Sequence, residues 1–258
     1  MTTPPPSSLA TVIGAGEIGR WVAGAMLYQG VTVQPVLRHQ SIAERLAGHS
    51  PGSPILIAVP EASLGAVLDA TPTSAAADVL LVQNGTFPSD LPPAFAASAG
   101  WCVVWTLRRR GEAPVTGQPT AISGRHAEWL SQAMRDIGEP ARVLADPSAV
   151  RRELACKFAF ILSINGVGLT HDGSLGDALA ARGDELREAL HECLAVTLNM
   201  ASTPETDTEA LVDHAMTAMR NMHGMRIRSG AARARLQRAL QFARANALPH
   251  PWLQRVAV

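Results

Sequence analysis

The stretch from Leu9 to Arg38 constrains the fold more than any other part of the chain. Thr11-Val12-Ile13 is a short β-branched, apolar run that feeds directly into Gly14-Ala15-Gly16-Glu17-Ile18-Gly19. Ile18, Val22, Ala23, Met26 and Leu27 then recur at three- and four-residue spacing, which predicts a helix, and Gly30 ends it. An extended pattern resumes over Val31 to Leu37. Strand, glycine loop, helix and second strand are the context in which G-x-G-x-x-G binds a dinucleotide. Gly14 permits the tight turn, Gly16 lets the pyrophosphate approach the backbone, and Gly19 lets helix and strand pack closely. The helix N-terminus offers N–H groups and a positive dipole to the phosphates. The cofactor-binding set read from this stretch is Gly14, Ala15, Gly16, Glu17, Ile18 and Gly19.

The end of the second strand selects between dinucleotides. An NAD site carries Asp or Glu about 20 residues after the first glycine, to hold the ribose 2′-hydroxyl. Here the strand runs into Leu37-Arg38-His39-Gln40-Ser41, with no acid at its tip. An arginine there can grip a 2′-phosphate through two parallel N–H bonds. Arg38 therefore points to NADPH; the alternative is a solvated charge at a strand end.

The pattern continues in the same style. Ser41 can cap a short helix to Gly48, with Glu44 three residues on. Ile55 to Val59 is a continuous apolar run, as in a parallel strand buried on both faces. A helix from Glu61 to Ala70 follows, then strands at Val79–Val82, Cys102–Trp105, Thr120–Ser123 and Arg142–Leu144, with a helix from Glu128 to Ile137. Alternating strands and helices predict an α/β fold, a Rossmann-type, doubly wound, mostly parallel sheet. From Asp146, a cap with Pro147 behind it, the texture is helical: 147–169, 176–201, 206–225 and 229–247. Two domains are expected, a dinucleotide-binding domain over 1–146 and an all-helical substrate domain over 147–258.

Composition excludes several function classes. A net charge of +0 argues against nucleic acid or an anionic membrane as partner. No apolar run approaches the ~20 residues needed to cross a bilayer. Met1 to Ser8 has neither a basic n-region nor an apolar h-region, so a short flexible leader is expected rather than a signal peptide. Cys102, Cys156 and Cys193 are odd in number and widely spaced, which predicts neither a disulfide framework nor a metal site and fits a cytoplasmic setting. The 22 basic residues include a single lysine, Lys157, inside an apolar helical stretch.

Four features together resemble the ketopantoate reductase (2-dehydropantoate 2-reductase) family over nearly the whole chain. They are the glycine fingerprint with Leu37-Arg38, where the family's NADPH-binding arginine lies, and Leu81-Val82-Gln83-Asn84-Gly85, like its Gln/His-Asn-Gly after the fourth strand. They are also Glu153-Leu154-Ala155-Cys156-Lys157-Phe158, like its tryptophan-x-lysine helix without the tryptophan, and Asn165-Gly166-Val167-Gly168-Leu169-Thr170, like its asparagine-proline-leucine-threonine stretch. The resemblance implies NADPH-dependent reduction of a 2-oxo acid. Lys157 would donate to the substrate carbonyl, Asn84 would lie near the nicotinamide and substrate, and Asn165 would hold substrate. Positions 157, 161 and 165 are four apart and share a helical face, which agrees. The residues alone leave other readings: Lys157 snorkelling to solvent, Asn84 as a turn residue before Gly85, Asn165 at a helix C-terminus beside Gly166. By analogy, a small-molecule substrate and a homodimer are expected.

The departures lie in the substrate half. The family's second asparagine, four residues after the lysine, is Ile161 here; its lysine after the third strand is replaced by Pro60-Glu61; its late serine and glutamate fall near Ala218 and Gly230. A site built for hydrogen bonds discriminates steeply against substrates that leave its groups unpaired, so a substrate other than ketopantoate is expected. Two alternatives remain: an imine reductase, or a dinucleotide-binding protein without catalysis, working as a sensor or partner. Near the vacated positions His223 is either a surface histidine or an acid. Met216, Met219, Met222 and Met225 read as core filler. Arg226, Arg228, Arg233, Arg235 and Arg238 read as a solvated face, one of which could pair with a substrate carboxylate. His171-Asp172 reads as a loop.

Overall fold

Short β-branched runs and amphipathic stretches alternate through the first half of the chain, and the backbone follows them. The computed structural model describes residues 7–108, 113–203, 207–227 and 230–257; the first six residues of the expected leader and Arg228 lie outside this set. The strands are β1 Leu9–Ile13, β2 Thr32–Val36, β3 Ile55–Ile57, β4 Val79–Leu81, β5 Gly100–Val103, β6 Thr106–Leu107, β7 Val115–Thr116, β8 Thr120–Ile122 and β9 Ala141–Val143. The helices are α1 Glu17–Tyr28, α2 Ile42–Leu46, α3 Glu61–Asp69, α4 Pro93–Ser98, α5 Ala127–Asp136, α6 Pro147–Val167, α7 Leu175–Met200, α8 Thr208–Asn221, α9 Ala232–Ala245 and α10 Pro251–Val256. The chain divides into two compact units: residues 1–104, 108–113 and 119–150, and residues 105–107, 114–118 and 151–258.

The first unit is a seven-stranded sheet in the order β2-β1-β3-β4-β5-β8-β9. All seven strands expected from sequence are in it. Every neighbouring pair is parallel except β5 with β8. Pro35 pairs with Val12 on β2, an edge strand, where a missing N–H costs no ladder bond. β3 and β4 are buried at every residue, which is why they read as unbroken apolar runs. Ser41 caps α2 by accepting from the Glu44 N–H, as its sequence predicts. Trp21, Val22, Ala25 and Met26 of α1 and Trp129, Leu130, Ala133 and Met134 of α5 share one buried cluster with Val12, Leu56 and Leu80.

A buried carboxylate closes the end of this sheet where β4 begins. Asp78 accepts from Arg125 (2.9 Å) and His126 Nε2 (3.2 Å) on one oxygen, and from His49 Nε2 (3.1 Å) and the Gly52 N–H (2.9 Å) on the other. Burial pushes its carboxyl up, but these donors together hold it below the usual carboxylate range.

The second unit is helical apart from the β6–β7 hairpin, contributed by a segment whose neighbours in sequence belong to the first unit. Sequence reading had run one strand through Cys102–Trp105; the backbone ends β5 at Val103 instead. The hairpin is held to α8: the Asn221 amide donates to Gly117 O (2.9 Å) and the Gln118 amide to His214 O (3.0 Å). α6 is buried on every face from Glu153 to its end at Val167. α7 and α8 bond to it through Thr197 Oγ1 on Ala155 O (3.0 Å) and Cys156 Sγ on Leu211 O (3.5 Å). Among the described residues no helix is long and apolar enough to cross a membrane. All three cysteines are buried thiols outside any disulfide.

Replacing Asp78 by alanine strands four donors, three of them on side chains that are cationic or can become so. We expect Asp78→Ala to lower the unfolding free energy by about 3 kcal/mol at neutral pH, measured by urea denaturation. Because the folded carboxyl titrates low, this contribution is present above the unfolded pKa and is lost as pH falls through the folded value. The gap to wild type should therefore narrow as pH falls below the ordinary aspartate range of about 3.9.

Candidate functional site

In the first unit, the residues singled out from sequence follow the carboxyl ends of adjacent parallel strands. The glycine loop follows β1, Arg38 follows β2, Pro60-Glu61 follows β3 and Asn84 follows β4. Strand order reverses at β1, with β2 on one side and β3 on the other, which is where doubly wound sheets bind ligands. Gly14 has φ +101°, and a Cβ on it would fall 2.3 Å from Ala58 O, so loop and β3 meet backbone to backbone. A Cβ on Gly19 would fall 1.9 Å from Gly14 O. At Gly16 a Cβ would meet nothing within 4 Å. Two glycines are thus needed by the protein's own packing, while the middle one faces open space at the start of α1, which it caps without a side chain. Gly16 thus adds no side chain over the first-turn N–H groups of α1, the kind of helix N-terminus at which an anion can bind.

The other members of this set have ordinary surroundings. Ala15 is half-buried, Glu17 is exposed and pairs with Arg20 (2.5 Å), and Ile18 packs against the core cluster. Arg38 is exposed in a turn closed by Gln40 N–H on Leu37 O (2.9 Å). Asn84 is exposed beside Gln83, which is buried and donates to Val59 O (3.0 Å), tying the ends of β3 and β4.

In the second unit, Lys157 does not snorkel to solvent. It is 8% exposed, and its Nζ lies 4.4 Å from the centroid of Trp105 and 4.8 Å from that of Phe160. These two rings meet edge to face at 5.3 Å. Glu153, one turn earlier on α6, accepts the Trp105 indole N–H at 2.7 Å. Burial pushes the lysine down to about 8, against the opposing pull of Glu153 and Cys156. Asn165, two turns further on, is 3% exposed, and its Nδ2 is buried with no hydrogen-bond partner among the described residues. Ile161 between them is buried. A buried amide donor left unpaired costs about 1–3 kcal/mol, which an oxygen acceptor on a ligand would recover.

The remaining candidates divide plainly. His223 is exposed, with Nδ1 3.3 Å from Arg220 O. Met216, Met219, Met222 and Met225 are buried core. Arg226 and Arg233 are exposed, Arg235 and Arg238 half-buried. His171 and Asp172 lie in the loop after α6. Among the described residues no three His, Cys, Asp or Glu side chains are grouped to hold a metal. Sequence reading missed Trp105. Glu153 was detectable as the i,i+4 neighbour of Lys157, but Trp105 is 48 residues away from Glu153 and announces nothing locally.

No family model matches the sequence. The structure is similar to the 2-dehydropantoate 2-reductase of Methylococcus capsulatus (TM-score 0.64, 16% identity, covering 96% of this chain and 94% of that one). The chain has the ketopantoate reductase fold. A dimeric ketopantoate reductase from Staphylococcus aureus shares it (TM-score 0.61, 16% identity, 96% of each chain), as does a D-mandelate dehydrogenase in complex with NADH (TM-score 0.64, 13% identity, 96% of each). By sequence the chain is 31% identical over 159 residues to a shikimate dehydrogenase (NADP(+)) of Anaeromyxobacter sp. (strain Fw109-5). That match takes in 60% of this chain and spans about half of that enzyme, 49% of its length. In the ketopantoate reductase fold of this chain, then, a complete glycine loop and a buried lysine coexist with an altered set of polar groups.

Two measurements check these geometries. Gly16→Ala should change unfolding free energy by less than about 0.5 kcal/mol yet weaken dinucleotide binding, whereas Gly19→Ala should destabilise the protein itself, since its Cβ meets backbone. Urea denaturation and nucleotide titration of both variants separate the effects. Lys157→Met should stabilise the protein most below pH 8, by up to on the order of 3 kcal/mol. A lysine with a depressed folded pKa carries its penalty in full below that value. The penalty fades as pH rises through the folded value of about 8 toward the unfolded 10.5, so the variant's advantage should fade over the same window.

Proposed function

We propose that this protein is an NADPH-dependent reductase of the ketopantoate reductase type, transferring a hydride to the carbonyl of a 2-oxo acid or a related small carbonyl other than ketopantoate, and working as a homodimer. The observation that carries the reading is Lys157, the single lysine of the chain, buried on the same helical face as the unpartnered amide of Asn165. The fold shared with 2-oxo acid reductases and the open cradle at Gly16 support it.

The roles follow from chemistry. The loop Gly14-Ala15-Gly16-Glu17-Ile18-Gly19 holds the pyrophosphate through backbone N–H groups. Arg38 takes the 2′-phosphate, and Asn84 orients the nicotinamide end. When bound, the cofactor supplies the hydride. Negative charge then builds on the carbonyl oxygen, and Lys157 meets it with an ammonium whose proton is held less tightly than an ordinary lysine's. Asn165 donates to a substrate oxygen. Ketopantoate itself is set aside because Ile161 and Ala218 are apolar where the resemblance calls for asparagine and serine, and Gly230 has no side chain where it calls for glutamate. Those same losses favour a second reading, a dinucleotide-binding protein without catalysis.

A panel of 2-oxo acids with NADPH, followed by loss of nicotinamide absorbance, tests the proposal. At least one should be reduced, and Lys157→Ala should lower kcat/KM by roughly 10²–10⁴-fold. Arg38→Ala should weaken NADPH at least about tenfold more than NADH. Tight NADPH binding with no carbonyl reduced would favour the non-catalytic reading, and equal losses for both cofactors would remove the 2′-phosphate role from Arg38.

A further inference from the structure

Asn165 lies in the last turn of α6, which ends at Val167, and its buried Nδ2 has no hydrogen-bond partner among the described residues. Helix ends fray, so a side chain there keeps its direction only if something outside the helix holds it. Two contacts fall on the residues that follow. The Trp252 ring of α10 lies against Gly166, where a Cβ would come 2.2 Å from its Cη2. Thr170, just past the helix, accepts at Oγ1 from Arg182 Nη1 at 2.7 Å. One carboxylate joins the two contacts. Glu185 accepts from Arg182 Nε (2.7 Å) and Nη2 (2.6 Å) on one oxygen, and from Trp252 Nε1 (3.2 Å) and Arg255 Nη2 (3.4 Å) on the other. A circuit that leaves the chain at Gly166 thus runs through Trp252, Glu185 and Arg182 and returns to it at Thr170.

We infer that Arg182, Glu185 and Trp252 are positioning residues for Asn165: they close a ring of contacts on the segment directly after it and so fix where its amide points. The inference rests on the reductase reading for its purpose, since there Asn165 holds a substrate oxygen, though not for its test. Each link alone is weak. The Arg182 and Glu185 side chains are 28% and 22% exposed, and an ion pair that water can reach adds little stability. A closed circuit adds direction instead, because each group is held by two others. Two features of the fold build it. The helical run of α7 is interrupted at Arg182 itself (φ −142°, ψ 32°). The start of α10 is anchored by Glu192, which accepts from Trp252 N (2.8 Å) and Leu253 N (2.7 Å), so the backbone of the tryptophan is fixed as well as its ring. At a group that binds substrate, a misplacement of about 1 Å can cost roughly 10²-fold in rate, and that is the scale on which such a clamp acts.

The side-chain amide of Asn165 can be read directly. Protein grown on 15N-labelled asparagine gives one side-chain amide pair for each of Asn84, Asn165, Asn199, Asn221 and Asn246, and the pair lost in Asn165→Asp is that of Asn165. Glu185→Ala cuts the circuit at its junction, and Thr170→Val cuts it at the far end without touching α10. In both variants the Asn165 pair should shift and exchange with water roughly tenfold faster, as local opening becomes easier, while Asn84 and Asn221 keep their resonances. A clamp that only holds α10 in place would lower the unfolding midpoint and leave Asn165 where it is. If the pair keeps its wild-type position and rate in either folded variant, the inference falls. Should Glu185→Ala fail to fold, Thr170→Val decides by itself. In a chain that does reduce a carbonyl, KM for that substrate should rise about tenfold more than kcat falls, since Asn165 holds substrate in the ground and transition states alike. In one that reduces none, the amide resonances still decide, so the two readings fail separately.

Discussion

An ammonium held away from water inside an apolar helix is the most demanding feature of this molecule. Desolvating a cation costs several kcal/mol even after the protein relaxes around it. The two ring faces over Lys157 return about 2 kcal/mol or more when water is excluded, and Glu153 adds an attraction through its charge. Burial still wins, because the lysine ends near 8 instead of its ordinary value. Much of the second unit follows from this balance. α6 must be wrapped on all faces, and residues 105–107 and 114–118, which carry the two-stranded hairpin, must be brought in to supply the tryptophan.

The first unit is organised by close approach rather than by charge. Gly14 and Gly19 are fixed because backbone atoms of Ala58 and Gly14 occupy the space a side chain would need. Gly16 is under no such constraint from the protein and opens α1 with free space where a side chain would stand.

Most of the sheet was legible because each strand declares itself locally. Ile55-Leu56-Ile57 and Val79-Leu80-Leu81 are unbroken apolar runs because helices cover both faces, and Ser41 with Glu44 announces a cap within four residues. The long helices of the second half were legible for the same reason, from period and breakers. What stayed hidden was whatever depends on distant partners or on too few residues. β6 and β7 are two residues each, too short to show a period, and α10 is a six-residue turn whose first N–H groups are held by Glu192 from 60 residues away. Nothing local marks Asp78, on which four donors from two distant segments converge. At the candidate site, Lys157 and Asn165 were visible as a helical face, and the tryptophan missing from the lysine's own helix was taken as a loss. An indole is present all the same, delivered over Lys157 by a hairpin.

The identity of the cation matters as much as its place. Elsewhere in this chain every basic side chain apart from histidine is an arginine, 21 of them against one lysine. A guanidinium at position 157 could stack on Trp105 and pair with Glu153 at least as well as an ammonium does. It could not release a proton, because its pKa lies far above any operating range, and burial would not change that. An ammonium under the same burial moves to where proton transfer is feasible. If the position served only to fill space or to neutralise Glu153, arginine or a neutral side chain would do as well. Under this burial a lysine keeps open a proton transfer that an arginine would not.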